Sequence, residues 1–483
     1  MLFNSYEYIF LFLPASIGVY FLLCRHKHIL YAKIWLVLCS LFFYSWWNPI
    51  YLPLILLSIL FNYGTGYSLS SESFSHIFNR RTTLIIGICF NLGLLSYFKY
   101  ADFFISNINY VTGVHLKLLK IALPLGISFF TFTQIAYLVD AYKFKVKEFS
   151  FVNYTLFVTF FPHLLAGPII HHKEMMPQFD DFKNKALSYS NLNAGLFLFL
   201  LGLFKKVVIA DYLAVYANAG FDTTEVLSFF EAWTSSLSYT LQLYFDFSGY
   251  TDMALGSALM FNIKLPINFN SPYKSINIQE FWRRWHITLS RFMRDYVYIP
   301  LGGNQVSESK ILFNLFLTFL IGGLWHGAGW TFVFWGFIHG VAIIIYRLWK
   351  MLNVSMPKAL AWFITFNFVN IAWVFFRAKS WESALNVLRG MFGVNGVTLP
   401  ETILLKLKFL GTLGIGTGVT MMSLKIAIPM ILIAMVLSTL FKNSNEMLAK
   451  YKPTVSYMIM TGVIFLISVL HMSKYSEFLY FRF

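Results

Sequence analysis

Charged side chains are scarce in this sequence of 483 residues. Only 12% of the residues are Asp, Glu, Lys or Arg, against ~25% in an average soluble protein. Apolar residues account for 58% and aromatic residues for 20%. This balance excludes an ordinary soluble protein and indicates a polytopic membrane protein. Long polar stretches are also missing, so we expect no separate soluble domain and a single membrane domain over residues 1–483.

Cysteine is rare as well, with three residues in the chain. Cys24, Cys39 and Cys89 lie in or beside apolar runs and lack the spacing of metal ligands, which predicts small core residues and no metal site. The motifs G-x-S-x-G, G-x-x-x-x-G-K-[ST], H-E-x-x-H and H-x-x-x-x-D are all absent. These absences remove the support for a hydrolase, an ATPase or a metalloprotease.

Acidic residues are outnumbered by basic ones, 21 to 37. No nucleic-acid-binding motif accompanies this excess, so nucleic acid is not an expected partner. Lys and Arg concentrate in the cytoplasmic loops of membrane proteins, where anionic lipids attract them. A bound anionic cofactor would draw on the same charge.

The apolar runs predict membrane helices along the whole chain. The first run, residues 8–24, has neither a basic segment before it nor a cleavage site after it, so we expect a retained span and not a signal peptide. The basic clusters at 25–33 and 80–81 place the N-terminus outside the cytoplasm. The candidate spans are 6–24, 31–47, 50–69, 82–100, 121–141, 151–170, 191–212, 229–261, 311–346, 359–377, 403–421, 424–441 and 455–472.

The run at 311–346 carries no acid, lysine or arginine and is too long for one span, since about twenty helical residues cross a bilayer. Four glycines around His326 predict a break at residues 322–330. Non-helical backbone is tolerated at membrane depth only inside protein or against a water-filled cavity. We therefore expect His326 to face a cavity. His339 lies thirteen residues further on, and a continuous helix would point it elsewhere.

The largest polar excursion is 262–310, and within it residues 280–296 have the periodicity of one amphipathic helix. Its apolar stripe consists of Trp282, Trp285, Leu289, Phe292 and Tyr296. Around it lie His286, Arg283, Arg284, Arg291 and Arg294. One interpretation is an interfacial helix whose arginines touch lipid phosphates. The other is a basic cluster that gathers a phosphorylated substrate.

Two acids, Asp246 and Asp252, interrupt the apolar run at 229–261. Intramembrane acids are costly and usually face the interior of a bundle. Six residues separate them by about 240° around a helix, so both can line one face only if the helix breaks, and Gly249 allows such a break. A structural hydrogen-bond network and a direct catalytic role both remain open.

Five segments, in order, resemble the membrane-bound O-acyltransferase family, and within it the bacterial components that acetylate polysaccharides. They are residues 161–168, 244–250, 268–273, 281–286 and 324–327. The C-terminal tail, 477–483, resembles the F-I-Y-F-Q-F tail of the alginate and peptidoglycan members. Leu479 and Arg482 depart from that tail pattern. An aromatic tail anchored at the membrane interface is the ordinary alternative for this segment.

The resemblance implies an all-α membrane protein with about 11–13 membrane helices around a central tunnel. It implies that His326 is the catalytic histidine, that His286 is a second important histidine, and that Tyr480 accepts the acyl group. The substrate-binding residues expected from it are Arg283, Arg284, Asn270, Trp285 and Arg291. Asp246, Asp252 and Trp325 are expected in the tunnel wall.

The reaction expected from the resemblance is O-acetylation of a cell-envelope or extracellular polysaccharide such as peptidoglycan or alginate. Acetyl-CoA would be the donor substrate, with no permanently bound cofactor. The protein would span the bacterial cytoplasmic (inner) membrane many times and pass acetyl groups to an extracytoplasmic SGNH-type partner. A D-alanyl transferase for teichoic acids is the alternative within the family. A non-enzymatic transporter is the alternative of another class.

Overall fold

The computed structural model describes residues 1–71, 79–143, 145–223, 225–399, 401–406, 415–417, 422–472 and 479. Within these residues the chain is almost entirely helical. The exception is a short parallel pair of strands, β1 at Thr398–Leu399 and β2 at Gly416–Thr417. The predicted all-α fold class is confirmed.

The described helices follow one another with short connections. In chain order they are α1 Leu13–Arg25, α2 Ile29–Ser45, α3 Leu52–Ser70, α4 Arg80–Leu95, α5 Ala101–Thr112, α6 Ile127–Tyr142, α7 Phe151–Thr159, α8 Phe161–Leu164, α9 His172–Asp180, α10 Tyr189–Phe204, α11 Asp211–Phe221, α12 Phe229–Met260, α13 Ile278–Arg284, α14 Ile287–Met293, α15 Glu308–His326, α16 Trp330–Met351, α17 Lys358–Arg377, α18 Trp381–Met391, α19 Glu401–Leu404, α20 Leu424–Thr439, α21 Ser444–Ala449 and α22 Val455–His471. Single π-helical turns occur at Tyr8–Phe12, Ser96–Tyr100, Lys205–Ala210 and Arg294–Tyr298.

Seven helical stretches of the described chain are long and apolar enough to cross a membrane. They are Tyr8–Arg25, Pro49–Ser70, Arg80–Thr112, Tyr189–Phe221, Glu308–His326, Trp330–Met351 and Lys358–Arg377. Three shorter apolar helices, α2, α20 and α22, accompany them. The chain is thus a multi-pass membrane protein, as the composition predicts.

Two predicted spans do not appear as single described helices. The span expected at 151–170 is wrong as a single helix, because α7 ends before Pro162, which lacks the N–H that would continue it, and the short α8 follows. The span expected at 403–421 lies mostly outside the described residues.

Helix α12 occupies the centre of the bundle, and nearly all its side chains are buried. It packs closely on α10 through two pairs of glycines, Gly202 with Gly249 and Gly195 with Gly256. A methyl group at any of these positions would collide with backbone of the other helix. The break that Gly249 would allow does not occur, since α12 is continuous from Phe229 to Met260. The glycine instead permits close helix packing, which is common between membrane helices.

Candidate active site

The predicted break near His326 is present. Helix α15 ends at this histidine, the backbone of Gly327 and Gly329 is extended, and α16 turns back alongside α15. The hairpin is tight because Gly323 and Gly336 face each other, and a methyl group on either would meet backbone of the opposite helix. His326 is therefore held at the tip of two closely packed helices.

The His326 imidazole is enclosed by aromatic rings and only 3% of the residue is exposed. Its centroid lies 4.9 Å from that of Trp325 and 5.1 Å from those of Trp335 and Phe376. Such an enclosure fixes the ring and keeps bulk water away. It leaves the imidazole one open direction, which is a cavity.

A cavity of about 600 Å³ has His326 and Trp335 in its wall. It also runs along α16 as far as Lys350, fifteen residues beyond Trp335, or about 22 Å at ~1.5 Å per residue. Among the residues the structure describes, no carboxylate lines this cavity. Its wall includes five basic side chains, those of Arg283, Arg291, Arg294, Arg347 and Lys350. The cavity is suited to a long anionic molecule whose uncharged end reaches the histidine.

A second cavity, of about 310 Å³, approaches the same break from another direction. Gly327, Ala328 and Phe332 form one of its walls, and Lys99 and Asp102 lie in another. His326 therefore lines one cavity while the residue that follows it lines the second. The two described cavities thus meet the chain at adjacent residues of the break.

The helix expected over 280–296 is wrong as one continuous element, because His286 interrupts it. This residue has a φ of 43°, in the left-handed region, and separates α13 from α14. The turn is fixed by Asn268, whose Oδ1 accepts from the backbone N–H of Thr288 and lies 3.2 Å from His286 Nδ1. His286 is consequently directed into the bundle.

His286 comes close to the candidate catalytic residue. Its ring centroid is 6.2 Å from that of Trp325, which also contacts His326. Burial lowers the pKa of His286 to about 3, so the imidazole is neutral near pH 7. A neutral, fully buried ring is suited to hydrogen bonding beside His326 and not to binding phosphate.

The predicted binding residues separate into two groups. Arg283 and Arg291 line the larger cavity, and Arg291 also forms a two-pronged ion pair with Glu174 at 2.7 and 2.9 Å. Arg294 lines it too, although it pairs with Asp295. This geometry favours the phosphate-gathering interpretation for the part of the segment that faces the cavity.

The other predicted binding residues lie outside the walls of both described cavities. Arg284 pairs with Glu280 at 2.8 Å and donates to the carbonyl of Asn270. Asn270 accepts from Asn443, and Trp285 is 1% exposed within an aromatic cluster. Their contacts support the turn that carries His286.

The two buried acids of α12 each meet a lysine. Asp246 pairs with Lys206 at 2.6 Å and Asp252 pairs with Lys205 at 2.6 Å. Asp246 also accepts from the backbone N–H of Leu479 at 3.0 Å. These contacts favour the structural network that the sequence left open, and neither acid lines a described cavity. Tyr480 lies outside the described residues.

Sequence reasoning misplaced one histidine and missed a lysine. The expectation that His339 points away from His326 is wrong, since both rings contact Trp335, at 4.7 and 5.1 Å. The break between their helices invalidates the continuous rotation used to predict it. Lys99 was missed, although a lysine deep in an apolar run is itself a signal.

Comparison with known proteins adds the decisive observation. The model of the MBOAT, membrane-bound O-acyltransferase family, matches residues 45–384. The chain belongs to this family. As a family member it is an acyltransferase enzyme, and the non-enzymatic transporter is thereby set aside.

Named relatives of this acyltransferase fall into three groups. A peptidoglycan O-acetyltransferase of Helicobacter pylori is 49% identical over 100% of this chain and 98% of its own length. A probable alginate O-acetylase of Pseudomonas aeruginosa is 40% identical over 83% of this chain and 76% of its own. A teichoic acid D-alanyltransferase of Streptococcus thermophilus is 28% identical over 52% of this chain and 68% of its own.

Proposed function

We propose that this acyltransferase takes acetyl groups from cytoplasmic acetyl-CoA and delivers them across the membrane for O-acetylation of peptidoglycan. The observation that carries the proposal is the position of His326, at the inner end of a basic cavity and one residue from a second cavity. The 49% identity to a peptidoglycan O-acetyltransferase along the whole chain supports this acceptor in preference to alginate.

The larger cavity suits the donor. CoA carries several phosphates at one end and a thioester at the other, and guanidinium groups match phosphate geometry. Arg283, Arg347 and Lys350 would hold the phosphates, and the thioester would lie near His326. His326 and these three basic residues line the same cavity, and Arg347 also pairs with Glu308 at 3.0 Å.

Helix lengths support an orientation for the cavities. Nineteen residues separate Arg80 from Lys99, and eighteen separate Glu308 from His326, about 28 Å in each case. Lys99 contacts the end of α15, which supports an approach of both helices to the break from one side. Arg80 and Arg81 favour the cytoplasm for that side. The smaller cavity would then belong to the extracytoplasmic side and receive the acceptor.

The chemistry needs a base for a weak nucleophile. A ring nitrogen of His326 would take the proton of the acceptor hydroxyl as its oxygen attacks the thioester carbonyl. Collapse of the tetrahedral intermediate would break the C–S bond, and the departing CoA thiolate would take the proton from the imidazolium. An acetyl ester and free CoA thiol result, and the histidine returns to its starting state.

The test of the base uses His326→Ala in purified protein reconstituted into vesicles. We expect loss of CoA release from acetyl-CoA by about 10²-fold or more, as removal of a general base does. His28→Ala, at an exposed histidine, should retain wild-type turnover. Turnover by the His326 variant at the wild-type rate would refute its role. If the wild-type protein released no CoA from acetyl-CoA, the result would instead favour the D-alanyl transferase alternative.

The first acceptor in this proposal is Tyr480. It would pass the acetyl group to an SGNH-type protein on the extracytoplasmic side of the inner membrane. Its neighbour Leu479 is buried, and the backbone N–H of Leu479 donates to Asp246 inside the bundle. Tyr480→Phe keeps the ring and removes the hydroxyl. We expect it to abolish peptidoglycan O-acetylation in cells, measured as acetate released by mild base, while Tyr189→Phe at an exposed tyrosine leaves it intact. Full acetylation in the first variant would reject the relay.

A further inference from the structure

The end of α15 exposes an unusual demand for hydrogen-bond donors. The last carbonyls of a helix have no partner within it, and here they lie inside a membrane protein, where water is scarce. The extended backbone of Gly327 turns the chain away from the helix, so no further helical N–H can serve them. Donors must come from another part of the chain.

Two adjacent side chains supply these donors. Lys99 Nζ donates to the carbonyl of Trp325 at 2.6 Å and to that of His326 at 3.0 Å. Tyr100 Oη donates to the carbonyl of Leu324 at 2.8 Å. Lys99 and Tyr100 thus bind three consecutive carbonyls at the end of α15, and the last of these belongs to the candidate base His326. Lys99 precedes Trp325 by 226 residues in the chain.

The local backbone explains how neighbouring residues reach the same helix end. In a regular α-helix, consecutive side chains point about 100° apart. Residues Ser96–Tyr100 instead form a π-helical turn between α4 and α5. Such turns change the direction of side chains and occur frequently at functional sites.

The same segment also holds the other side of the break. Asn107, one helix further on, accepts from Trp330 Nε1 at 2.8 Å, at the first residue of α16. The π-helical turn and α5 therefore bind residues on both sides of the Gly327–Gly329 connection.

We propose that Lys99, assisted by Tyr100, is a positioning residue that aims the His326 imidazole at the reacting groups. The inference rests on the proposed function of His326 as the base. Lys99 binds the backbone of His326 directly, so a shift of its ammonium group would move the imidazole relative to both cavities. A cation at a helix C-terminus is also favoured by the helix dipole.

A donor-binding role for Lys99 is less consistent with its place. Lys99 lines the smaller cavity and not the cavity with the basic cluster. Its ammonium group already donates to two carbonyls and lies 3.4 Å from Ser128 Oγ, which accounts for all three of its N–H groups. Its charge is thus committed to the protein backbone.

The test replaces Lys99 by Met, which has a similar length and no charge. We expect kcat for acetyl-CoA turnover to fall about ten-fold or more, since small displacements of a catalytic group are this costly. The Kd and stoichiometry of CoA binding, measured by calorimetry, should stay at wild-type values. Unchanged stoichiometry shows that the protein is folded, which a fall in kcat alone cannot show.

The matched control is Lys274→Met. Lys274 also donates to a backbone carbonyl, that of Phe441 at 2.7 Å, but far along the chain from the break. It should keep wild-type kcat. A Lys99 variant with wild-type kcat would overturn the inference, as would a weakened Kd for CoA with unchanged kcat.

Tyr100→Phe carries the test if Lys99→Met loses its CoA stoichiometry. Removing one hydroxyl should lower kcat about three-fold or more at unchanged Kd, and an unaltered kcat would reject the positioning role. Activity of the wild type and its loss in His326→Ala are measured in parallel. If these fail, the proposed function fails; if they hold and both position-99 and position-100 variants remain active, only the present inference fails.

Discussion

Buried carboxylates are neutralised in pairs in this bundle. Asp246 and Asp252 each contact a lysine at 2.6 Å. An isolated charge in an apolar interior is strongly unfavourable, whereas a paired and hydrogen-bonded one is tolerated. Loss of one partner is therefore costlier than the small value of a surface ion pair.

Asp222, an exposed carboxylate just beyond α11, pairs with the buried Arg377 at 2.7 Å and is suited to a pH-dependent measurement of one ion pair. Burial raises its pKa, and hydrogen bonds from Arg377 and Lys379 lower it by more, so the pKa of Asp222 is lowered overall. The carboxylate stabilises the fold above its unfolded pKa of about 3.9. That contribution is lost as pH falls through the lowered folded value.

We expect Asp222→Asn to lower the free energy of unfolding by about 0.5–1 kcal/mol near pH 7, since water screens an exposed ion pair. The difference from wild type should shrink below pH ~4, as the native carboxylate takes up a proton. Thermal unfolding in detergent across this pH range measures it. Glu382→Gln, at an exposed carboxylate, should show no such trend, and a difference independent of pH would contradict the assignment to Asp222.

The ionisable residues that lie inside apolar runs could be identified from the sequence, but the side chains they contact could not. Asp246, Asp252 and His326 are conspicuous because each interrupts an apolar run. Lys205 and Lys206 lie at the edge of another run and gave no sign of which acid they would meet. Their pairing depends on how α10 and the π-helical turn after it lie against α12, which is a property of tertiary packing.

At the scale of elements, glycines set the distance between helices. In the α15–α16 hairpin, Gly336 lies against the carbonyl of Phe319 and the backbone of Gly323. Membrane helices associate largely through such close packing. The hairpin carries His326 at its tip, so a change in the distance between its two helices would move the His326 imidazole.

Gly336→Ala should therefore destabilise the protein by about 1–3 kcal/mol, as overpacking of a tight interface does. It should also lower the rate of acetyl transfer, because separation of the helices displaces the tip. Gly93→Ala is the matched control, since open space surrounds that position in α4. Unfolding in detergent and CoA release are the two measurements. Equal stability of the two variants would contradict a packing role for Gly336.

Element boundaries were predictable where apolar pattern decides them. The expected run 229–261 corresponds to α12, and the expected break in 311–346 falls at Gly327–Gly329. The prediction of one continuous helix over residues 280–296 is wrong because His286 has a left-handed backbone conformation. Asn268, which lies outside the segment, stabilises that conformation. A periodicity within one segment carries no information about such a contact.

At the scale of the whole molecule, the two cavities arise from elements distant in sequence. The larger cavity joins α13 to α16, and the smaller one adds residues 97–102 and 119–123. The sequence and its resemblance predicted a tunnel with a basic approach, and that approach is present in the larger cavity. They did not predict which residues line the two described cavities at the break, with His326 in the wall of the larger cavity and Gly327 in that of the smaller one.

The basic cavity leads to a prediction about donor binding. Arg283→Gln keeps a polar side chain and removes a charge that lines the cavity, so the KM for acetyl-CoA should rise about ten-fold, the loss of one charge-assisted hydrogen bond. The kcat should change little, because Arg283 lies far from His326 in the proposed arrangement. Arg389→Gln in α18 is the control outside the cavity. An unchanged KM in the first variant would remove Arg283 from the donor site.

The aromatic rings around His326 have a consequence for the energised cell. In the proposed arrangement the two cavities open toward opposite faces of the membrane, and water that joined them would let ions leak down their gradients. Trp335 and Phe376, each 1% exposed, contact the His326 imidazole. Under the proposed function, these rings would block ion flow while acetyl groups cross the membrane.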